Sequence, residues 1–265
     1  MMGSFSGKRI LVTGAGRGIG RAIALAFATE GADLILAARS TGELDEVAGE
    51  ARALGRKADV VPTDLADRSA VEALAAHALE TGGVDVMVSN AAFSPTPSPL
   101  LDLPMETWLK TFQVNVGAAL ILVKALAADM TARPGANIII VSSIRGLGGT
   151  PFGGAYGSSK AALNQMVKTL ACELGPQGVR VNAILPGPVL TQMTTDYLPD
   201  DKALFDYYGD IAPIKGWTKA EDMVAPALFL AGSGARKVTG HLLIVDGGLS
   251  ATNQDAFPPP KLVAG

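Results

Sequence analysis

Cysteine is almost missing from this chain. Cys172 stands alone among 265 residues, which excludes an internal disulfide and any metal site built from cysteines. A reducing, cytoplasmic setting fits that usage, and Cys172, inside an apolar-periodic stretch, is expected to be a small buried core residue. Histidine is nearly as scarce: His77 and His241 lie far apart without metal-ligand spacing, so no metal is expected. Charge is sparse too. With 18% charged residues and a net charge of −3 there is no electrostatic footprint for nucleic acid, and no basic stripe with interleaved aromatics occurs. No uninterrupted apolar run approaches the ~20 residues of a spanning helix, so no membrane partner is expected. The N-terminal MMGSFSGK lacks the apolar core of a signal peptide.

What the chain does have is apolar residues, 48% of the total, enough for a buried sheet covered by helices and too many for a disordered protein. The length could hold two small domains; one α/β domain over residues 1–250, followed by a tail at 251–265, is the expectation. Short apolar runs at Arg9–Thr13, Asp33–Ala38, Ala58–Val61, Val84–Val88, Asn137–Val141, Val179–Leu185 and Leu242–Val245 read as strands. Helical patterns fall between them, at Glu43–Leu54, Ser69–Thr81, Met105–Asp129, Ala155–Leu174 and Lys219–Ala231. Strands alternating with helices imply a parallel sheet.

Two stretches carry chemistry. The first strand runs into TGAGRGIG, residues 13–20, and then into a helical pattern at Ile19, Ile23, Ala26 and Phe27. Strand, glycine turn and helix is the order of a dinucleotide site. Gly14 allows the tight turn, Gly18 lets backbone approach a pyrophosphate, and Gly20 permits close packing of helix on strand. The helix start, with Ile19 in its first turn, offers unpaired amides to phosphate. In the second stretch, Tyr156 and Lys160 are one helical turn apart, which stacks both side chains on one face. A free phenol titrates near pH ~10, and an ammonium beside it favours ionisation, bringing it toward general acid–base work. Ser143 lies at a strand end thirteen residues before Tyr156, where a hydroxyl can polarise a carbonyl. Asn115 sits mid-helix on an apolar face, a position that requires partners for its amide.

TGxxxGxG near the start, Asn115, then Ser143, Tyr156 and Lys160 in that order resemble the short-chain dehydrogenase/reductase family over about residues 8–250. The resemblance implies a Rossmann-type, doubly wound α/β fold with a seven-stranded parallel sheet and helices on both faces. It implies hydride transfer between a nicotinamide cofactor and a carbonyl/secondary alcohol pair. Tyr156 would be the acid/base, Lys160 the group that lowers its pKa and holds ribose, Ser143 the carbonyl polariser, and Asn115 the anchor of a proton relay. Ser142 matches no direct role. Asp64 and Leu65 match the positions facing adenine, a surface-turn aspartate being the competing view. Ser89-Asn90-Ala91-Ala92 stands where most relatives have NNAG, so Asn90 is retained while Ala92 departs from the pattern. Pro186-Gly187-Pro188-Val189-Leu190-Thr191 resembles the segment that holds the carboxamide through backbone at Val189 and the Thr191 hydroxyl. Such relatives commonly form tetramers through the helices bearing Asn115 and Tyr156 and through the C-terminal edge.

Cofactor choice turns on the end of the second strand. NAD-using relatives carry an acid there; this chain has Ala38, then Arg39 and Ser40, with Arg17 in the glycine loop. Two guanidinium forks suit a 2′-phosphate, so NADP is expected over NAD; Arg39 stacking on adenine is the alternative. Periodicity fades over about 190–217, as in a substrate flap. Its Met193, Tyr197, Leu198, Phe205, Tyr207, Tyr208 and Trp217 favour a small apolar or cyclic ketone or alcohol. Two rivals remain: a 3-oxoacyl carrier-protein reductase, whose two arginine positions are here Pro134, with Asn137 nearby, and Gln177, only Arg133 being close, and a nucleotide-binding regulatory module without turnover.

Overall fold

The computed structural model describes residues 3–196 and 202–252. Seven strands, β1 Arg9–Thr13, β2 Asp33–Ala38, β3 Ala58–Pro62, β4 Val86–Ser89, β5 Asn137–Val141, β6 Arg180–Pro186 and β7 Leu242–Val245, form one sheet in the order β3-β2-β1-β4-β5-β6-β7. Every pairing is parallel. Parallel strands need covered faces, which is why β5 is Asn-Ile-Ile-Ile-Val with all five residues buried rather than an alternating sequence. Strand order reverses between β1 and β4, the place where open α/β sheets leave a crevice at the carboxyl ends of their strands.

Helices α1 Gly18–Thr29 and α2 Thr41–Ala53 cover one face together with α9 Val224–Ala231; α3 Arg68–Glu80, α5 Ala118–Thr131 and α6 Gly154–Leu174 cover the other. Successive strand residues feed opposite cores: Leu11 and Ile35 pack with Leu74, Leu122 and Val167, whereas Ile10 and Leu34 pack with Phe27 and Val47. Each such side chain, wholly buried, contributes about 1.5–3 kcal/mol.

Caps explain where helices begin. The Ser40 hydroxyl accepts from the Glu43 amide, starting α2 two residues before the expected Glu43, and Asp67 accepts from Ser69 N at the head of α3. The helix expected to run unbroken through Met105–Asp129 is interrupted: α4 Met105–Phe112 passes through a π segment, Gln113–Gly117, into α5. The whole 27-residue stretch Met105–Thr131 is long and apolar enough to cross a membrane by length and composition, although charged residues break its sequence into shorter runs. Here its Leu122, Leu126 and Met130 are fully buried against the sheet. The final expected helix is likewise split, into a 3-10 turn Ala220–Met223 and α9.

The stretch read as lacking periodicity contains α7 Gln192–Thr195 and α8 Lys202–Asp210, helices too short for a periodic pattern to register. Tyr197, Leu198 and the tail from 253 onward lie outside the described residues. Cys172 is exposed, not buried: it falls beside the apolar stripe of α6, whose buried members there are Ala171 and Leu174.

Candidate active site

At the switch point, the loops after β1, β2, β3, β4, β5 and β6 border a cleft of ≈ 660 Å³. Gly14, Arg17, Gly18, Ile19, Arg39, Asp64, Leu65, Asn90, Ser143, Tyr156, Lys160, Pro186, Val189 and Thr191 all line it. Two expected residues stand behind the wall instead. Gly20 packs where a β-carbon would overlap the Gly14 carbonyl and crowd Asn90, so it fixes helix to strand. Asn115 is 2% exposed and holds the Phe93 backbone, as described below.

The glycine loop is a cradle. Gly14 and Gly18 have φ of 65° and 54°, the left-handed region that favours glycine, and no side chain caps the start of α1 at Arg17. Its first amides therefore face the cleft, with the positive end of the helix behind them. Across the cleft Thr191 closes over the loop, 3.3 Å from where a Gly18 β-carbon would stand. Asn90 donates to the Thr13 and Gly14 carbonyls at 3.0 and 3.2 Å, and the Thr13 hydroxyl accepts from the amides of Asn90 and Ala91. The turn after β4 is thereby tied to the glycine loop despite Ala92. Asp64 accepts from Ala66 N at 2.9 Å, shaping its own turn at the cleft wall. A glycine-lined cradle under a helix start, open to a cleft that size, fits a dinucleotide pyrophosphate.

On the other side, α6 presents Tyr156 and Lys160. The lysine is 2% exposed, its ammonium donates to the Val141 carbonyl at 2.9 Å, and it lies 5.4 Å from the centre of the Tyr156 ring. Burial pulls the Lys160 pKa from 10.5 down to about 7. Ser143 follows the end of β5, where its hydroxyl accepts from Arg145 N at 3.2 Å. Ser142 also lines the cleft, but its hydroxyl is committed to α6: it donates to Asn164 Oδ1 at 2.6 Å, and Asn164 in turn donates to the Gly146 carbonyl. That pair clamps the Ser143 turn onto α6.

Asn115 occupies the π segment. Its Oδ1 accepts from Phe93 N at 2.7 Å, and its Nδ2 donates to Phe93 O at 3.0 Å and Ser159 Oγ at 2.9 Å. The Ser159 hydroxyl donates to the Tyr156 carbonyl at 2.7 Å. Asn115 thus couples the β4 loop to the helix of the phenol, its amide fully satisfied.

Several cleft residues went unpredicted. Gly16 lay inside the motif already noticed, and Glu43 followed a recognisable cap; Phe93, Lys110 and Val114 carried no local signal. Lys110 stands 4.9 Å over the Phe93 ring. Of the described apolar residues in the 190–217 stretch, Met193 lines the cleft, whereas Phe205 and Tyr208 pack on Trp217 at 5.0 and 6.3 Å between ring centres.

The family model described as Enoyl-(Acyl carrier protein) reductase matches residues 14–250. The chain is a short-chain dehydrogenase/reductase. An L-rhamnose 1-dehydrogenase (NAD(P)(+)) of a Sphingomonas species is 39% identical over 246 residues, 92% of this chain and 96% of the relative. A Beutenbergia cavernae protein solved with bound NADP at low occupancy is 36% identical with a TM-score of 0.88, covering 94% of this chain and 100% of that one. A 7α-hydroxysteroid dehydrogenase solved with NADH and 7-oxo glycochenodeoxycholic acid is 31% identical with a TM-score of 0.86, covering 92% and 94%. Membership makes this short-chain dehydrogenase/reductase an NAD(P)-dependent oxidoreductase acting on CH–OH groups of small molecules.

Proposed function

We propose that this enzyme interconverts a small cyclic secondary alcohol and its ketone with NADP as the preferred cofactor. The observation that carries the reading is that Ser143, Tyr156 and Lys160 line the same cleft as the glycine cradle. The bound nicotinamide supplies the hydride chemistry. During reduction Tyr156 donates its phenolic proton to the carbonyl oxygen, and during oxidation it removes the hydroxyl proton. In its protonated form Lys160 places positive charge beside the phenol and holds the ribose, while Ser143 donates to the developing oxyanion. Asn115 holds the relay side of the site through Phe93 and Ser159. The cradle amides receive the pyrophosphate, Asp64 and Leu65 flank the adenine, and Val189 with Thr191 receives the carboxamide.

Support for a cyclic substrate comes from relatives whose names specify a sugar and a steroid. A carrier-bound acyl chain is disfavoured because Arg133, the one arginine near the expected docking place, is committed to Asp129 at 2.8 Å and to the Gly82 carbonyl. Exposed Met105, Leu109 and Leu120 along α4 and α5, with Phe229 and Ile244 on α9 and β7, support a homotetramer, and the lone free thiol suits the cytoplasm. The test is a panel of cyclic ketones and alcohols followed by NADPH and NADH absorbance, with Tyr156→Phe as control. Turnover that survives in the control overturns the reading, and nucleotide binding without any turnover favours a regulatory role.

A further inference from the structure

The acid missing from the end of β2 has a counterpart five residues later. Glu43 is the third residue of α2, and its amide is fixed by the Ser40 hydroxyl at 3.4 Å. An acid at that position often reaches back to the cap amide. Here the carboxylate leans over the glycine loop, 3.9 Å from the Arg17 guanidinium. A β-carbon on Gly16 would come within 2.8 Å of its Oε2, so residue 16 is glycine where Glu43 needs the room. Ala38, Arg39 and Ser40 line the same corner of the cleft.

We propose that Glu43 takes the place of the acid absent at Ala38, accepting from the adenosine ribose hydroxyls, so that the enzyme binds NAD as well as NADP and Glu43 sets the ratio. This rests on the cleft being a nicotinamide dinucleotide site. A ribose hydroxyl offers a donor to the carboxylate. A 2′-phosphate instead meets attraction from Arg17 and Arg39 and repulsion from Glu43. The Arg17–Glu43 pair is long and more than a third exposed at both ends, so it is weak and Arg17 exchanges partners readily.

Fluorescence titration of NADH and NADPH onto the full chain tests this, using wild type, Glu43→Gln and, as a charge control on the outer face of α2, Glu46→Gln. Removing the charge at 43 is expected to tighten NADPH and weaken NADH, moving their affinity ratio by about five- to tenfold, whereas the control leaves it in place. Two results overturn the role of Glu43 while leaving the dinucleotide site intact: a ratio unchanged in Glu43→Gln, or one moved equally by Glu46→Gln. Wild-type protein that binds neither nucleotide overturns the dinucleotide reading itself, and the inference with it.

Discussion

The Lys160 ammonium donates to the Val141 carbonyl at 2.9 Å from a site only 2% exposed, with no carboxylate beside it among the described residues. Desolvation therefore opposes its charge, and the folded-state pKa falls from 10.5 to about 7. Between those two values the unfolded chain binds one more proton than the folded one, so stability of the nucleotide-free protein rises with pH across that window; below about 7 the lysine is charged in both states and the penalty is constant. Lys160→Met removes the penalty. It is expected to be more stable than wild type at neutral pH by on the order of 1–3 kcal/mol, an advantage that shrinks toward pH 10, while catalysis is lost. Urea unfolding of both proteins over a pH series checks this, and a pH-independent gap between them would contradict it.

Tyr156→Phe keeps the ring near Lys160 and removes only the hydroxyl. The expected outcome is a fall in kcat of at least about a hundredfold, with dinucleotide affinity changed by less than about threefold, since the ring still packs against the cleft. Steady-state kinetics and a binding titration on the same preparation separate the two effects.

Gly146→Ala probes the clamp between the Ser143 turn and α6. The new β-carbon would lie 2.7 Å from the Lys160 carbonyl carbon and 2.8 Å from Ala161 N, backbone atoms that cannot swing aside. The turn must lift, carrying Ser143 out of line with Tyr156, and displacement near 1 Å costs roughly a hundredfold in rate. Nucleotide affinity is expected to hold, because the cradle lies on the other wall.

Asn115→Leu strands three groups at once: the Phe93 amide, the Phe93 carbonyl and one bond of Ser159. Unpaired buried polar groups cost about 1–3 kcal/mol each, so a loss of roughly 2–4 kcal/mol is expected once water reaches some of them. Denaturant midpoints measure it. A variant as stable as wild type would show that the amide is not what holds the β4 loop.

Strands were the most legible part of the fold, because runs such as Ile138-Ile139-Ile140 are apolar on both faces, as a doubly covered parallel sheet requires. Their limits moved by a residue or two: β4 ends on Ser89 and β6 on Pro186, where the chain turns into the cleft. Tyr156 and Lys160 were legible by spacing, since their helix is regular from Gly154, and Ser143 by its place just after the apolar run of β5. Asn115 could be named, yet its π geometry could not, for a widened turn leaves no mark in residue periodicity. Glu43 was missed for a different reason. The family pattern places a ribose acid at the strand end, whereas the first turn of α2 brings a later side chain back to the glycine loop. Cys172 shows the limit of counting apolar residues: one step off the stripe is enough to reach solvent.

The widened turn at Gln113–Gly117 has a consequence for chain length. Such a turn is a regular helix holding one surplus residue. A shortened chain lacking one of these five positions could close into unbroken α-helix while the stretches on either side kept the faces they show now. The local residues could not, because each step in an α-helix rotates a side chain by about 100°. The enzyme would gain a straighter backbone there and lose the amide that reaches Phe93, so the surplus residue is what brings Asn115 to the β4 loop.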